Sequence, residues 1–175
     1  MKPKALILVL IMVVAIVVAV LTIKPSQSPE TAHVGGITHD FELLDPNGNK
    51  ISLSDIKGSV VFINFWATWC ASCVEEMPSI ERMFRNLSDK SSFKVVTILY
   101  KDDFSRALGF MKQNGYTFPV YLNPDESAAK IFGITGIPET FIIDKQGLLR
   151  KKVIGPAEWD SPRAIEIVQT LINES

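Results

Sequence analysis

"NFWATWCASCVEEMP", residues 64–78, holds both cysteines of the chain, separated by two residues. A tryptophan precedes the pair, and two glutamates and a proline follow it. Just upstream, "VVFINFWA" at 60–67 is a nearly unbroken apolar run rich in β-branched and aromatic residues, the pattern of a strand buried on both faces. Downstream, Val74, Met77, Ile80, Met83, Phe84 and Leu87 recur at helical spacing across 71–88. Pro78 falls inside that helix and predicts a kink. Cys70 thus follows a buried strand, and Cys73 stands one turn into the next helix.

That placement has chemical consequences. A thiol at a helix N-terminus meets free backbone N–H groups and the positive end of the helix dipole. Both lower its pKa from about 8.5 and raise the fraction of nucleophilic thiolate. Cys73, three residues on, shares the same face and lies within disulfide reach, so it can attack a mixed disulfide formed by Cys70. Three other readings compete. A structural zinc site wants four ligands, and the chain offers no further cysteine; His33 and His39, its only histidines, lie in or beside a loop-like stretch. A purely structural disulfide would close so small a loop that it constrains the unfolded chain little. A peroxide-reducing thiol would carry a proline and a threonine upstream, in a signature that "VFINFWATWC" lacks.

The segments around this core read as an α/β domain. "FELLDPNGNKISL" at 41–53 alternates about an Asn47-Gly48 turn and predicts a β-hairpin. Strands are predicted at 93–100, 118–123, 139–144 and 148–155, the last two forming a hairpin around "KQG". Helices are predicted at 104–115, closed by Gly115, at 126–133, and at 161–173, where Ser161 caps and Pro162 takes the first helical position. Interleaved strands and helices ending in an antiparallel hairpin and a helix predict a mixed sheet between helical layers.

Ala5 to Ile23 is a run of 19 residues without a charge, behind Lys2 and Lys4. As a helix it would span about 28 Å, close to a hydrocarbon core of about 30 Å. The basic flank favours a cytoplasmic N-terminus with the rest of the chain across the membrane. The run therefore reads as an uncleaved anchor over residues 1–23. A cleaved signal peptide is the competing reading, with a shorter apolar region and a small-x-small cut; only "VVA" at 17–19 offers one, inside the apolar run. Either reading delivers the domain outside the cytoplasm. Residues 24–37, with Pro25, Pro29 and the Gly35-Gly36 pair, read as a linker, and 38–175 as the folded domain.

Composition agrees with one domain and an appendage: 175 residues, 47% hydrophobic, 21% charged. Net charge is −1, and setting aside Lys2 and Lys4 leaves −3. This balance provides no electrostatic footprint for nucleic acid.

"FWATWCASC" with Pro78 five residues beyond the second cysteine resembles the thioredoxin superfamily. "AAKIFGITGIPETFIID" at 128–144 resembles its second hallmark, the segment with a cis-proline, here Pro138. The apolar N-terminus, the hairpin at 41–53 and the extra helix and strand across 104–123 resemble the TlpA/ResA/CcmG branch of extracytoplasmic thiol–disulfide oxidoreductases. The resemblance covers residues 38–174. It implies a thioredoxin-like fold, a central mixed β-sheet flanked by helices, with an N-terminal β-hairpin and an inserted helix–strand unit. It implies a protein-disulfide reductase in which Cys70 attacks and Cys73 resolves, with no cofactor and no metal. Clients would be disulfide-bearing proteins, among them the heme-binding segment of an apocytochrome c, and a CcdA/DsbD-like integral-membrane thiol donor would re-reduce the enzyme. Within the same chemistry, an oxidant or isomerase is the rival; the uncharged Ala71-Ser72 between the cysteines argues against it. A copper-binding module would need a further ligand, and Met77 nearby reads as core.

One departure from thioredoxin itself stands out. Its buried Asp below the disulfide is replaced here by Asn64, which reads as a hydrogen-bonded structural residue. Glu76, three residues after Cys73 on the same helical face, matches a C-x-x-E position of the branch and is the candidate proton acceptor. Glu75 reads as an ordinary first-turn acid. Trp69 is assigned to the rim for partner contact and Trp66 to the core. Ile137 and Pro138 are expected to shape the docking groove, with backbone groups of Ile137 turned toward the disulfide. Glu139 is expected to contact substrate or tune the site.

Overall fold

The computed structural model describes residues 10–18 and 31–174. The chain separates into two units, 1–30 and 31–175. In the first, residues 10–18 are helical with exposed side chains. The remainder of the expected anchor, and the linker as far as residue 30, lie outside the described residues. Among the described residues no helix is long and apolar enough to cross a membrane.

The second unit is built on β3, Val60–Trp66, in which every residue is buried. A strand with apolar side chains on both faces needs cover on both, and the chain supplies it. β3 pairs in parallel with β4, Phe93–Leu99, and antiparallel with β6, Glu139–Ile143. β5, Val120–Leu122, lies beyond β4, followed by the hairpin strands β1, Glu42–Leu44, and β2, Lys50–Ser52. β7, Leu149–Ile154, closes the other edge, giving seven strands in the order β2-β1-β5-β4-β3-β6-β7.

Four helices cover the sheet: α1, Ala71–Leu87; α2, Phe104–Asn114; α3, Ser127–Phe132; and α4, Pro162–Asn173. Two apolar clusters divide the core. One joins Phe62, Trp66 and Val95 to α1, α2 and α4 through Met77, Ala107, Met111 and Val168. The other joins Ile63, Phe65 and Phe141 to α3 and the hairpin through Phe132, Ile131 and Leu43. The predicted punctuation is present. Gly115 ends α2 at φ 68°, a left-handed geometry that glycine adopts without steric penalty. Ser161 caps α4 through the N–H of Ala164, with Pro162 in its first turn.

α1 runs through Pro78, which lies inside it as expected. One boundary differs from expectation: the folded unit begins before residue 38. Ala32 N–H donates to Ile131 O, Gly35 N–H to Leu149 O, and Ile37 bridges Leu148. Backbone groups in 31–37 that a free linker would leave to water are partnered by the domain.

Candidate active site

β3 ends at Trp66, and Ala67, Thr68 and Trp69 lead into α1, with Cys70 as its N-cap. The antiparallel neighbour β6 begins with Glu139 opposite Phe65. The chain entering β6 therefore passes beside the end of β3. Sheet register alone brings residues 137 and 138 next to the cysteines, although some 65 positions separate them in sequence.

Cys70 and Cys73 are disulfide-bonded. Cys70 Sγ accepts the N–H of Cys73 at 3.2 Å, a capping interaction that a thiolate would strengthen. Ser72 Oγ lies 3.5 Å away. The Ile137–Pro138 peptide is cis, and the Ile137 carbonyl oxygen stands 3.7 Å from Cys70 Sγ. The two residues differ in exposure: Cys70 keeps 7% and Cys73 0%.

The approach to Cys70 is held from β4's end. Asp102 accepts hydrogen bonds from both the N–H and the hydroxyl of Thr68. Trp69 is 57% exposed, yet its indole N–H donates to the Lys101 carbonyl at 3.2 Å. Lys101 adopts φ 50°, uncommon for a residue with a side chain. Trp69 is thus an oriented surface aromatic, as a rim residue requires, whereas Trp66 is wholly buried.

Glu76 is only 3% exposed, deeper than its sequence position implied. Asn64 Nδ2 donates to its Oε1 at 2.8 Å. The Ala157 N–H and the Trp159 indole N–H both donate to Oε2, each at 3.0 Å. Burial raises its pKa above the usual glutamate value, with the bonds from Trp159, Asn64 and Ala157 pulling the other way. In this disulfide form its hydrogen bonds run to those three partners rather than to Cys73. Asn64 is structural in the expected sense, but its partners are specific: Nδ2 also donates to Thr140 Oγ1 at 2.9 Å.

Glu139 is 0% exposed, so it presents no surface for direct contact with a client. Its Oε1 accepts from the Thr135 N–H and hydroxyl and from the Gly136 N–H. Oε2 pairs with Lys152 Nζ at 3.0 Å. The carboxylate thereby fixes the turn that leads into Ile137 and Pro138.

Sequence reasoning missed Trp159, Ala157, Asp102 and Lys152. A usable signal existed for Trp159. It sits in "GPAEWDSP", a polar loop before a capped helix, and a tryptophan buried from such a loop needs an acceptor for its N–H. The others act through backbone groups or pair across strands, and nothing local in the sequence announces them.

A bonded cysteine pair at a helix N-cap, its first residue the more exposed and its second fully buried, performs disulfide exchange. On this sheet it defines a thioredoxin-like thiol–disulfide oxidoreductase. The chain belongs to the AhpC/TSA family, whose model matches residues 34–152. Among its relatives is the thiol–disulfide oxidoreductase ResA of Bacillus subtilis, 33% identical over 126 residues, covering 72% of this chain and 70% of that protein. A Chlorobium tepidum structure assigned as thiol:disulfide interchange protein DsbE is 27% identical, covers 82% of this chain and 100% of its own, and superposes with a TM-score of 0.72. StoA from Bacillus subtilis gives 0.61 at 26% identity, covering 76% of this chain and 96% of its own.

Proposed function

We propose that this enzyme is a membrane-tethered reductase of protein disulfides that works outside the cytoplasm. The observation that carries the assignment of attacker and resolver is the asymmetry of the pair. Cys70 caps the helix and keeps 7% exposure, and Cys73 keeps none.

In the reduced enzyme, the Cys70 thiolate attacks one sulfur of a client disulfide. A mixed disulfide forms, and the client's other sulfur leaves as a thiolate. Cys73 then gives its proton to the Glu76 carboxylate and attacks Cys70 Sγ. The Cys70–Cys73 bond forms and the second client sulfur leaves. The client gains two electrons and the enzyme is oxidised. An integral-membrane thiol donor returns those electrons. Ile137 offers its backbone to an extended client segment, which can lie beside it as an added strand, while Trp69 and Pro138 border that segment. A heme-binding C-x-x-C segment of an apocytochrome c fits as client. The tether is the uncharged run Ala5–Ile23 behind Lys2 and Lys4.

Trapping tests this reading. A Cys73→Ala variant retains the attacker and lacks the resolver, so it accumulates a stable mixed disulfide between Cys70 and its client. The complex should fractionate with membranes and carry the intact N-terminus by mass spectrometry. Absence of any Cys70-linked client would sink the reductase assignment. A shortened soluble form would replace the anchor with a cleaved signal.

A further inference from the structure

The three polar partners of Glu76 are not equivalent. The Trp159 indole and the Ala157 backbone are donors only, and both point at Oε2. Neither can accept a proton-bearing oxygen. Asn64 faces Oε1, and an amide can present either its NH2 or its carbonyl. Its remaining contact is Thr140 Oγ1, a hydroxyl that also donates or accepts. Asn64 Oδ1, buried, has no hydrogen-bond partner among the described residues. The contacts that orient the amide are those of Nδ2 with Glu76 and Thr140, two groups that can each reverse their role.

We propose that Trp159 and Ala157 assign the proton of Glu76 to Oε1, and that Asn64 is a positioning residue that turns its amide to follow that proton. With Glu76 ionised, Asn64 donates through Nδ2 to Oε1, as in this structure. With Glu76 protonated, Oε1–H donates to Asn64 Oδ1, and the Thr140 hydroxyl reverses to donate to the same oxygen. Both states keep a hydrogen bond between Asn64 and Glu76, and Oε2 keeps its two donors throughout; the cost of the turn falls on Nδ2, which takes the buried place of Oδ1, where no described residue partners it.

The inference rests on the proposed proton-accepting role of Glu76 and supplies its mechanism, since a buried acid can shuttle a proton only if both of its states are accommodated. Burial already raises the pKa of Glu76, which brings the protonated form closer to reach. Cys73 on its own helix is held in the disulfide and does not titrate in this form; the elements that supply partners to Glu76 also carry Glu139 on β6, and Glu158 and Asp160 in the loop before α4. Glu139 is committed to Thr135, Gly136 and Lys152, and Asp160 to Arg82. β3 contributes Asn64 without a charge.

The test is a pH titration of the full-length disulfide form in detergent micelles, with 13C-labelled glutamate and 15N-labelled asparagine side chains. Glu76→Gln and Asn64→Leu identify the two signals by their loss. The Asn64 amide resonances should move with the same midpoint as the Glu76 carboxyl. Trp159→Phe removes a donor that favours the ionised form, so the Glu76 midpoint should rise. Asn64→Leu removes a partner of both forms, so its midpoint should change less than in Trp159→Phe. An Asn64 amide that ignores the Glu76 titration, or a larger rise in Asn64→Leu than in Trp159→Phe, overturns the proposal. Should Trp159→Phe fail to fold, the amide titration of the unsubstituted protein decides alone. None of these readouts depends on turnover, so they remain decisive even if Glu76→Gln were to resolve mixed disulfides at the native rate.

Discussion

Trp159 Nε1 and Glu76 Oε2 lie 3.0 Å apart, both buried, although one belongs to the loop before α4 and the other to the second turn of α1. Ser79 reinforces the junction, its hydroxyl accepting the Trp159 N–H and donating to the Ala157 and Glu76 carbonyls. Arg82 and Asp160 form an ion pair at its outer edge. The loop therefore does more than connect β7 to α4. It holds an acid in place one helical turn below the resolving cysteine.

Glu76→Gln should leave the fold intact. The Gln carbonyl can take the place of Oε2 before its two donors, and its NH2 can face a turned Asn64. Resolution by Cys73 should slow by about 10²–10⁴-fold, the usual worth of a positioned general base, while attack by Cys70 changes less. Mixed disulfide then accumulates in rapid-quench gels. In the native enzyme, resolution should also fall as pH drops through the raised pKa of Glu76, and the Gln variant should lose that limb. Native-rate resolution with an unaltered pH profile would make Glu76 a structural acid.

Cys70 should be the sole fast-reacting thiol of the reduced protein at neutral pH. It caps α1 and is the more exposed of the pair, and capping N–H groups favour its thiolate. Brief alkylation followed by peptide mass mapping reads this directly. Faster labelling of Cys73 would reverse the roles of attacker and resolver.

The Glu139–Lys152 pair should matter for stability. Lys152→Met leaves a fully buried carboxylate without its cation, and breaking such a pair costs about 3 kcal/mol or more where both ends are buried. Lys152 retains some exposure, so a loss toward the low end is expected. Replacing Glu139 with Ala should also loosen the turn at 135–136, whose donors lose their acceptor. Denaturant midpoints check both; a change within experimental scatter for Lys152→Met would mean that water already screens the pair.

How far the sequence could be read follows from what each feature depends on. β3 and α1 were legible because their apolar periodicities are local and strong. The cysteine pair, with Cys70 at the cap, followed from the junction between them. Pro138 beside the disulfide required the family resemblance, because no local pattern states that β6 pairs with β3. Glu139 was expected to contact substrate or tune the site, and it is fully buried against the 135–136 turn and Lys152, since strand alternation about an irregular turn cannot be phased from sequence. Trp159 and Asp102 escaped because they act through hydrogen bonds to residues far away in the chain. The docking of residues 31–37 escaped for the same reason: a segment rich in glycine looks like linker until its backbone partners are known.

The last prediction concerns stability against pH. Burial raises the folded-state pKa of Glu76 above its value in the unfolded chain, which is about 4.3. Between those two values the folded protein binds the proton and the unfolded chain does not. Stability therefore falls as pH rises through that window. The contribution of Glu76 is fully present below the unfolded value and is lost above the folded one. Glu76→Gln carries no such proton, so the variant should lack this component. The stability difference, variant minus native, should grow as pH rises from about 4 toward neutrality and level off once native Glu76 is ionised. Unfolding midpoints of the disulfide form for both proteins, measured side by side across that range, give the difference curve and cancel most contributions of other groups. A flat curve would mean that the hydrogen bonds from Trp159, Asn64 and Ala157 fully offset the cost of burial. A curve falling with pH would mean that they exceed it, and Glu76 would then be ionised too readily to hold the proton that resolution hands it.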